Sequence, residues 1–172
     1  MDSLALNVSS DGSVVVGWSE SSNGREAFRW TEAGGMVGLG DLQGGVLRSI
    51  ASGISADGSV IVGTGNSTGT FFGEAFLWTQ PTGMMNLKEF LATGGATGLT
   101  GWTLLGDVYV SGDGTRIAGT GRNPAGLLEP WIATIPPIPE PSTWALAACA
   151  LFFGGLLVRR RRKFARALAS GV

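Results

Sequence analysis

Val8-Ser9-Ser10-Asp11-Gly12-Ser13-Val14-Val15-Val16-Gly17 returns 46 residues later as Ile54-Ser55-Ala56-Asp57-Gly58-Ser59-Val60-Ile61-Val62-Gly63. It returns once more as Val110-Ser111-Gly112-Asp113-Gly114-Thr115-Arg116-Ile117-Ala118-Gly119. In each copy an Asp-Gly pair stands between a β-branched residue and a second extended run. That is the chemistry of a hairpin turn in which Gly supplies a positive φ. A second element follows each copy: Glu26-Ala27-Phe28-Arg29-Trp30-Thr31, Glu74-Ala75-Phe76-Leu77-Trp78-Thr79, and the degenerate Glu129-Pro130-Trp131-Ile132-Ala133. A third element, Gly35-Met36-Val37-Gly38-Leu39, matches Gly83-Met84-Met85-Asn86-Leu87 and has no counterpart in the last copy. Self-similarity at this spacing marks a repeat architecture, and each full unit reads as four short strands.

Phe28 and Trp30 are two apart, so they share one face of a strand, and Phe76 and Trp78 repeat the arrangement. Their expected role is packing between neighbouring units; a stacking platform for sugars is the sharper alternative. The Asp-Gly aspartates are expected to serve turn chemistry, because one carboxylate per turn without further spaced oxygens makes a poor calcium site. Between the second and third copies, Asn86 can cap a short helix that ends near Gly94, burying Leu87, Phe90 and Leu91. Extended structure is expected to resume at Leu99-Thr100-Gly101-Trp102-Thr103-Leu104. Pro136-Pro137 closes the folded part, leaving 135–138 as a short stiff linker. The expected fold is an all-β repeat array over residues 1–134, a partial β-propeller-like structure of about two and a half blades, followed by one C-terminal transmembrane α-helix.

The units resemble the extracellular HAF repeats. The resemblance rests on Ala27-Phe28-Arg29-Trp30-Thr31 with Gly34-Gly35-Met36, and on Ala75-Phe76-Leu77-Trp78-Thr79. Glu26, Glu74 and Glu129 stand where that family has its namesake histidine. The resemblance implies a propeller-like array with no assigned chemistry. Ser3-Leu4-Ala5-Leu6-Asn7-Val8-Ser9 aligns with Ser49-Ile50-Ala51-Ser52-Gly53-Ile54-Ser55 at the same spacing, so the sequence opens in mid-unit. Met1-Asp2-Ser3 has neither a basic n-region nor an apolar h-region. Further blades and a signal peptide are therefore expected upstream.

Glycine is 29 of 172 residues while apolar content stays at 44%, a pairing that suits short strands joined by tight turns rather than disorder. Charge is partitioned. Residues 1–158 carry six Lys/Arg against all thirteen acids, a net of −7, whereas 159–172 carry six cations and no acid. An acidic domain repels phosphate instead of releasing its counterions, which argues against a nucleic-acid partner. Histidine is absent from the sequence and the sole cysteine, Cys149, lies in the C-terminal apolar run. No metal or cofactor is expected.

That run sits inside a three-part pattern. Pro139-Glu140-Pro141 holds a carboxylate in an extended segment, since each proline fixes φ and removes a donor. Residues 142–158 are seventeen without a charge; as a helix they would span about 25 Å, a little short of a hydrocarbon core of roughly 30 Å. Arg159, Arg160, Arg161, Arg162 and Lys163 then form a stop whose long side chains can snorkel to headgroups. Trp144 suits the opposite interface, and the basic end is expected to stay cytoplasmic with residues 164–172 as its tail.

This pattern resembles the PEP-CTERM sorting signal of Gram-negative bacteria, carried by Pro139, Glu140, Pro141, Ser142, Thr143, Trp144, the apolar run and the basic block (135–163 in all). The resemblance implies handling by an exosortase, contact with membrane lipid, and passage from the inner membrane to the cell surface or an exopolysaccharide matrix. The leading expectation is thus a non-enzymatic surface protein, with extracellular polysaccharide as a further partner. The alternatives are a tail-anchored protein without sorting and an exported propeller-type hydrolase or lyase. The last would need a general base and a converging pocket. Asn7-Val8-Ser9 and Asn66-Ser67-Thr68 fit a glycosylation sequon, a pattern common by chance in Ser/Thr-rich β proteins.

Overall fold

A computed structural model describes residues 2–67 and 73–135 of the chain. The first unit is a four-stranded antiparallel meander: β1 (Ser3–Val8), β2 (Val14–Ser21), β3 (Gly24–Thr31) and β4 (Gly35–Gly38). The second repeats it as β5 (Ile50–Ile54), β6 (Ile61–Gly65), β7 (Glu74–Thr79) and β8 (Gly83–Asn86). After the helix α1 (Leu87–Thr93), the third unit supplies β9 (Thr103–Val110), β10 (Arg116–Arg122) and β11 (Leu128–Thr134). The protein is all-β apart from that one short helix among the described residues.

The strands form two antiparallel sheets rather than three separate ones. β1–β4 stand alone, whereas the second and third units share a seven-stranded sheet ordered β11-β10-β9-β7-β6-β5, with β8 also on β7. The junction is a single pairing, Glu74 with Leu105. The repeat shows in the registers. Val8, Val15, Trp30 and Met36 lie opposite one another across β1 to β4. Ile54, Ile61, Trp78 and Met84 make the same row across β5 to β8. Val110, Ile117 and Ala133 make it across β9 to β11. Each inner pair also carries an irregularity beside its glycine: between Ala5 and Asn7, between Ala51 and Gly53, and between Gly119 and Gly121. Such bulges bend a strand and re-aim its side chains.

Burial follows from these rows. Ile54, Ile61 and Phe76 pack with Val14, Val16 and Ala27, so the second unit's near face closes on the first unit's far face. Val60, Val62 and Leu77 do the same with Val108 and Ile117 of the third unit. Phe76 is fully buried, worth about 1.5–3 kcal/mol in transfer terms. The second aromatic pair faces the neighbouring unit, as its spacing predicts, with Phe76 buried and Trp78 half-buried against the first unit; in the first pair Phe28 is buried and Trp30 is exposed.

Helix α1 matches its sequence signals. The Asn86 side chain accepts from the Lys88 and Glu89 amides at 3.0 and 3.4 Å, and Leu87 and Leu91 are buried while Phe90 is partly so. The expected extended segment from Leu99 is instead a turn. Gly101 has φ +75°, and the Trp102 amide donates to the Leu99 carbonyl at 3.1 Å. Extended structure starts at Thr103. Among the described residues no helix is long and apolar enough to cross a membrane; the expected span 142–158 lies outside them.

Candidate functional site

The expected sorting residues Pro139, Glu140, Pro141, Ser142, Thr143 and Trp144, and the stop Arg159, Arg160, Arg161, Arg162 and Lys163, lie outside the described residues. Within the described part, three features gather polar chemistry: the Asp-Gly turns, the glutamates at the start of the aromatic strands, and a cleft between the second unit and α1.

In the turns, Asp11 Oδ1 accepts from the Ser9 hydroxyl at 2.6 Å, the Ser13 hydroxyl at 2.8 Å and the Ser13 amide at 3.0 Å. Asp57 repeats this with Ser55 and Ser59, and Asp113 with Ser111 and Thr115. The first serine also accepts from the strand beyond, Ser9 from the Val14 amide and Ser55 from the Val60 amide, both at 3.0 Å. Gly12, Gly58 and Gly114 hold φ between 70° and 74°, where a Cβ would be strained. The bonds from Ser9, then Ser13, hold the Asp11 carboxyl down to about 2. Those from Ser111, then Thr115, do the same for Asp113. For Asp57, partial burial pushes upward, but the Ser55 and Ser59 bonds together outweigh it and leave the group below its ordinary value. These oxygens fasten a loop, which is turn chemistry.

The turns also touch one another. The Ser10 amide donates to the Ala56 carbonyl at 3.0 Å, and the Ala56 amide to the Gly112 carbonyl at 2.8 Å. A Cβ placed on Gly58 would lie 2.8 Å from Val14 Cγ2, and one on Gly114 would lie 3.2 Å from Val60 Cγ2. The second and third turns thus rest on the valine of the unit before them.

Two of the glutamates that open the aromatic strands, Glu26 and Glu74, have a mechanical role that sequence reasoning missed. Glu26 accepts from the Gly40 amide at 2.9 Å, pinning the exit of β4. Glu74 accepts from Asn86 Nδ2 at 2.8 Å and from the Ser67 hydroxyl. Asn86 therefore caps α1 with its oxygen and holds Glu74 with its nitrogen. The only hint in the sequence was the recurrence of Glu before Ala-Phe.

The cleft encloses about 1040 Å³ and is lined by Asp41, Ser67, Glu74, Asn86, Lys88 and Glu89 among others. Two of its acids, Asp41 and Glu74, are engaged by the fold itself. Asp41 Oδ1 accepts from the Leu42 and Asn66 amides at 2.8 and 2.9 Å, and Oδ2 from the Arg48 amide at 2.7 Å. Among the described residues no group of three His, Cys, Asp or Glu is placed to hold a metal. The Ser67 hydroxyl meets a carboxylate and no imidazole, since the sequence has no histidine. What the cleft offers is hydrogen-bond acceptors beside one lysine.

Compared with protein-family models, with curated proteins and with solved structures, the chain matches none.

Proposed function

We infer that this chain is a non-enzymatic surface or matrix protein, a propeller-like all-β repeat domain delivered to the cell exterior by its C-terminal PEP-CTERM-type signal. The observation that carries the reading is the ordered triplet at the C-terminal end: Pro139-Glu140-Pro141, seventeen uncharged residues, then Arg159 to Lys163. An apolar run of that length stopped by five cations has a physical use at a bilayer and none in a folded core. The net −7 of residues 1–158 adds to it, since the acidic part falls on the side opposite the cations. The propeller-like reading is supported by repeated meanders whose equivalent rows pack one unit against the next.

The non-enzymatic reading is supported by how the acids are used. Asp11, Asp57 and Asp113 are spent on turns, and Asp41 and Glu74 on loop anchors. An exosortase is the processing partner, membrane lipid the transient one, and extracellular polysaccharide the partner at the destination. The test is localisation of two tags, one ahead of Pro136 and one after Val172, in cells with and without an exosortase. The reading expects a surface-exposed forward tag that separates from the rear tag only when the enzyme is present. Co-migration of both tags in either strain, with the forward tag protected from protease in spheroplasts, overturns it.

A further inference from the structure

The second unit departs from the first at two places, and both departures rim the same cleft. Between the equivalent glycines, Gly17 and Gly63, and the glutamates that open the aromatic strands, the first unit has residues 18–25 and the second 64–73, two more. After β4 and β8 the difference is larger. Leu39 and Leu87 are equivalent and both buried. Beyond Leu39 the chain turns back, and the Gly40 amide donates to Glu26 at 2.9 Å. Beyond Leu87 the chain runs on as α1, and Asn86, at the position of Gly38, holds Glu74 instead. Ser67 from the longer loop and Lys88, Glu89, Phe90 and Ala92 from α1 line the cleft. Insertions in a repeat array gather on one face, often the binding face.

The lining offers hydrogen-bonding groups of every kind. Gln43 and Glu89 are exposed and Lys88 is half-buried. Among the described residues the one ion pair is Arg25 with Glu20, so neither Lys88 nor Glu89 is engaged in one. A carboxylate accepts, an ammonium donates and an amide does both, and a hydroxyl group can answer all three. Met84 and Phe90 add apolar surface beside them. Asp41, Glu74 and Glu89 against Lys88 leave the cleft net negative, which disfavours an anionic ligand. A polycation would set a like charge against Lys88. The volume, about 1040 Å³, stands at the top of the roughly 300–1,000 Å³ of small-molecule sites, room for several linked rings rather than one.

We propose that this cleft binds an uncharged saccharide chain. Lys88 donates to its hydroxyls, Glu89 accepts from them, Gln43 does either, and Phe90 lies against the apolar C–H face of a ring. The first unit has no counterpart, because its chain closes on Glu26 where the second unit's opens into α1. That such a chain is met outside the cell rests on the surface-protein reading above; the cleft and its chemistry do not.

Binding to the purified full chain tests it, in a polyoxyethylene detergent that carries no sugar. The probes are cellohexaose, laminarihexaose, mannohexaose and N-acetylated chitohexaose, with an oligoguluronate of the same length as the anionic comparison. A neutral oligosaccharide is expected to bind and to shift the backbone amide resonances of Lys88, Glu89 and Phe90, and the oligoguluronate to bind roughly tenfold more weakly or less. Ala92 and Gln43 are exposed and line the cleft from different elements. Ala92→Arg obstructs it from α1 while keeping a good helix former, and Gln43→Arg obstructs it from the segment 40–48. Each is expected to weaken the neutral ligand about tenfold or more at an unchanged urea midpoint, so the test survives if one variant fails to fold. Absence of binding by every neutral probe overturns the proposal. So does binding that a folded variant of either kind leaves intact, or binding that favours the oligoguluronate. The surface reading is judged separately by the two tags: a chain that is sorted but binds no sugar defeats the cleft alone, and one that binds but is never sorted defeats the sorting alone.

Discussion

The Ser10 amide donates to the Ala56 carbonyl at 3.0 Å across two units of the repeat, and Ala56 passes the same bond to Gly112 at 2.8 Å. This ladder of turns, together with the apolar rows beside it, joins three copies of a weakly amphipathic segment around two apolar clusters, one at each junction between units. A single hairpin of this size is marginal in water; stacking gives its faces somewhere to go.

The buried turn serine is expected to matter more than the exposed one. Ser55 is fully buried, and its hydroxyl is the acceptor for the Val60 amide. Ser55→Ala leaves that donor unpaired and should cost about 1–3 kcal/mol. Ser111 makes the matching bond to Arg116 in an exposed setting, where water can replace it. Ser111→Ala should cost less than half as much, read as the shift in urea midpoint at constant slope.

Acid should loosen the fold late. The carboxyls of Asp11 and Asp113 are held at about 2 in the folded state, against an ordinary value of about 3.9. A folded-state value that is depressed contributes stability fully above the ordinary value and loses it as pH falls through the folded one. Urea midpoints should therefore be flat from about pH 6 to 5 in this respect and decline from about pH 4 toward 2. The double variant D11N/D113N should begin from a lower midpoint and show a shallower decline over that window.

Deleting a member of the packed row should be expensive. Ile61 is fully buried between the first and second units, and Ile61→Ala should cost about 2–5 kcal/mol. Val15, its equivalent in the first unit, is only half-buried, so Val15→Ala in the isolated chain should cost distinctly less. Chemical denaturation of the two variants measures the difference directly.

Asn86 joins two elements, and its loss should be felt in both. Asn86→Ala removes the cap of α1, worth about 0.5–2 kcal/mol, and the donor to Glu74. Amide exchange should accelerate at Lys88 and Glu89. Asn86→Asp should restore their protection but not the overall stability, because an anion there faces the Glu74 carboxylate.

What the sequence made legible was local. The Asp-Gly turns, the shared face of Phe28 and Trp30, and the Asn86 cap each depend on residues a few positions apart, and all three are present. The turn from Leu99 to Trp102 is hidden in the sequence because Trp102 and Leu104 have the character of strand residues, while the turn depends on the positive φ of Gly101. The Glu74–Leu105 junction and the tie from Asp41 to Asn66 join residues 31 and 25 positions apart, and no periodicity announces them. The cleft was missed for the same reason. The C-terminal pattern lies outside the described residues, and its reading rests on composition and order alone.

The measurement that bears most directly on the account is the intact mass and C-terminal residue of the mature protein from exosortase-bearing cells. The account predicts a chain ending near Pro139-Glu140-Pro141, without the run 142–158 or the cations from Arg159 onward, recovered outside the inner membrane. A mature chain that still ends at Val172 and fractionates with the cytosol would contradict it.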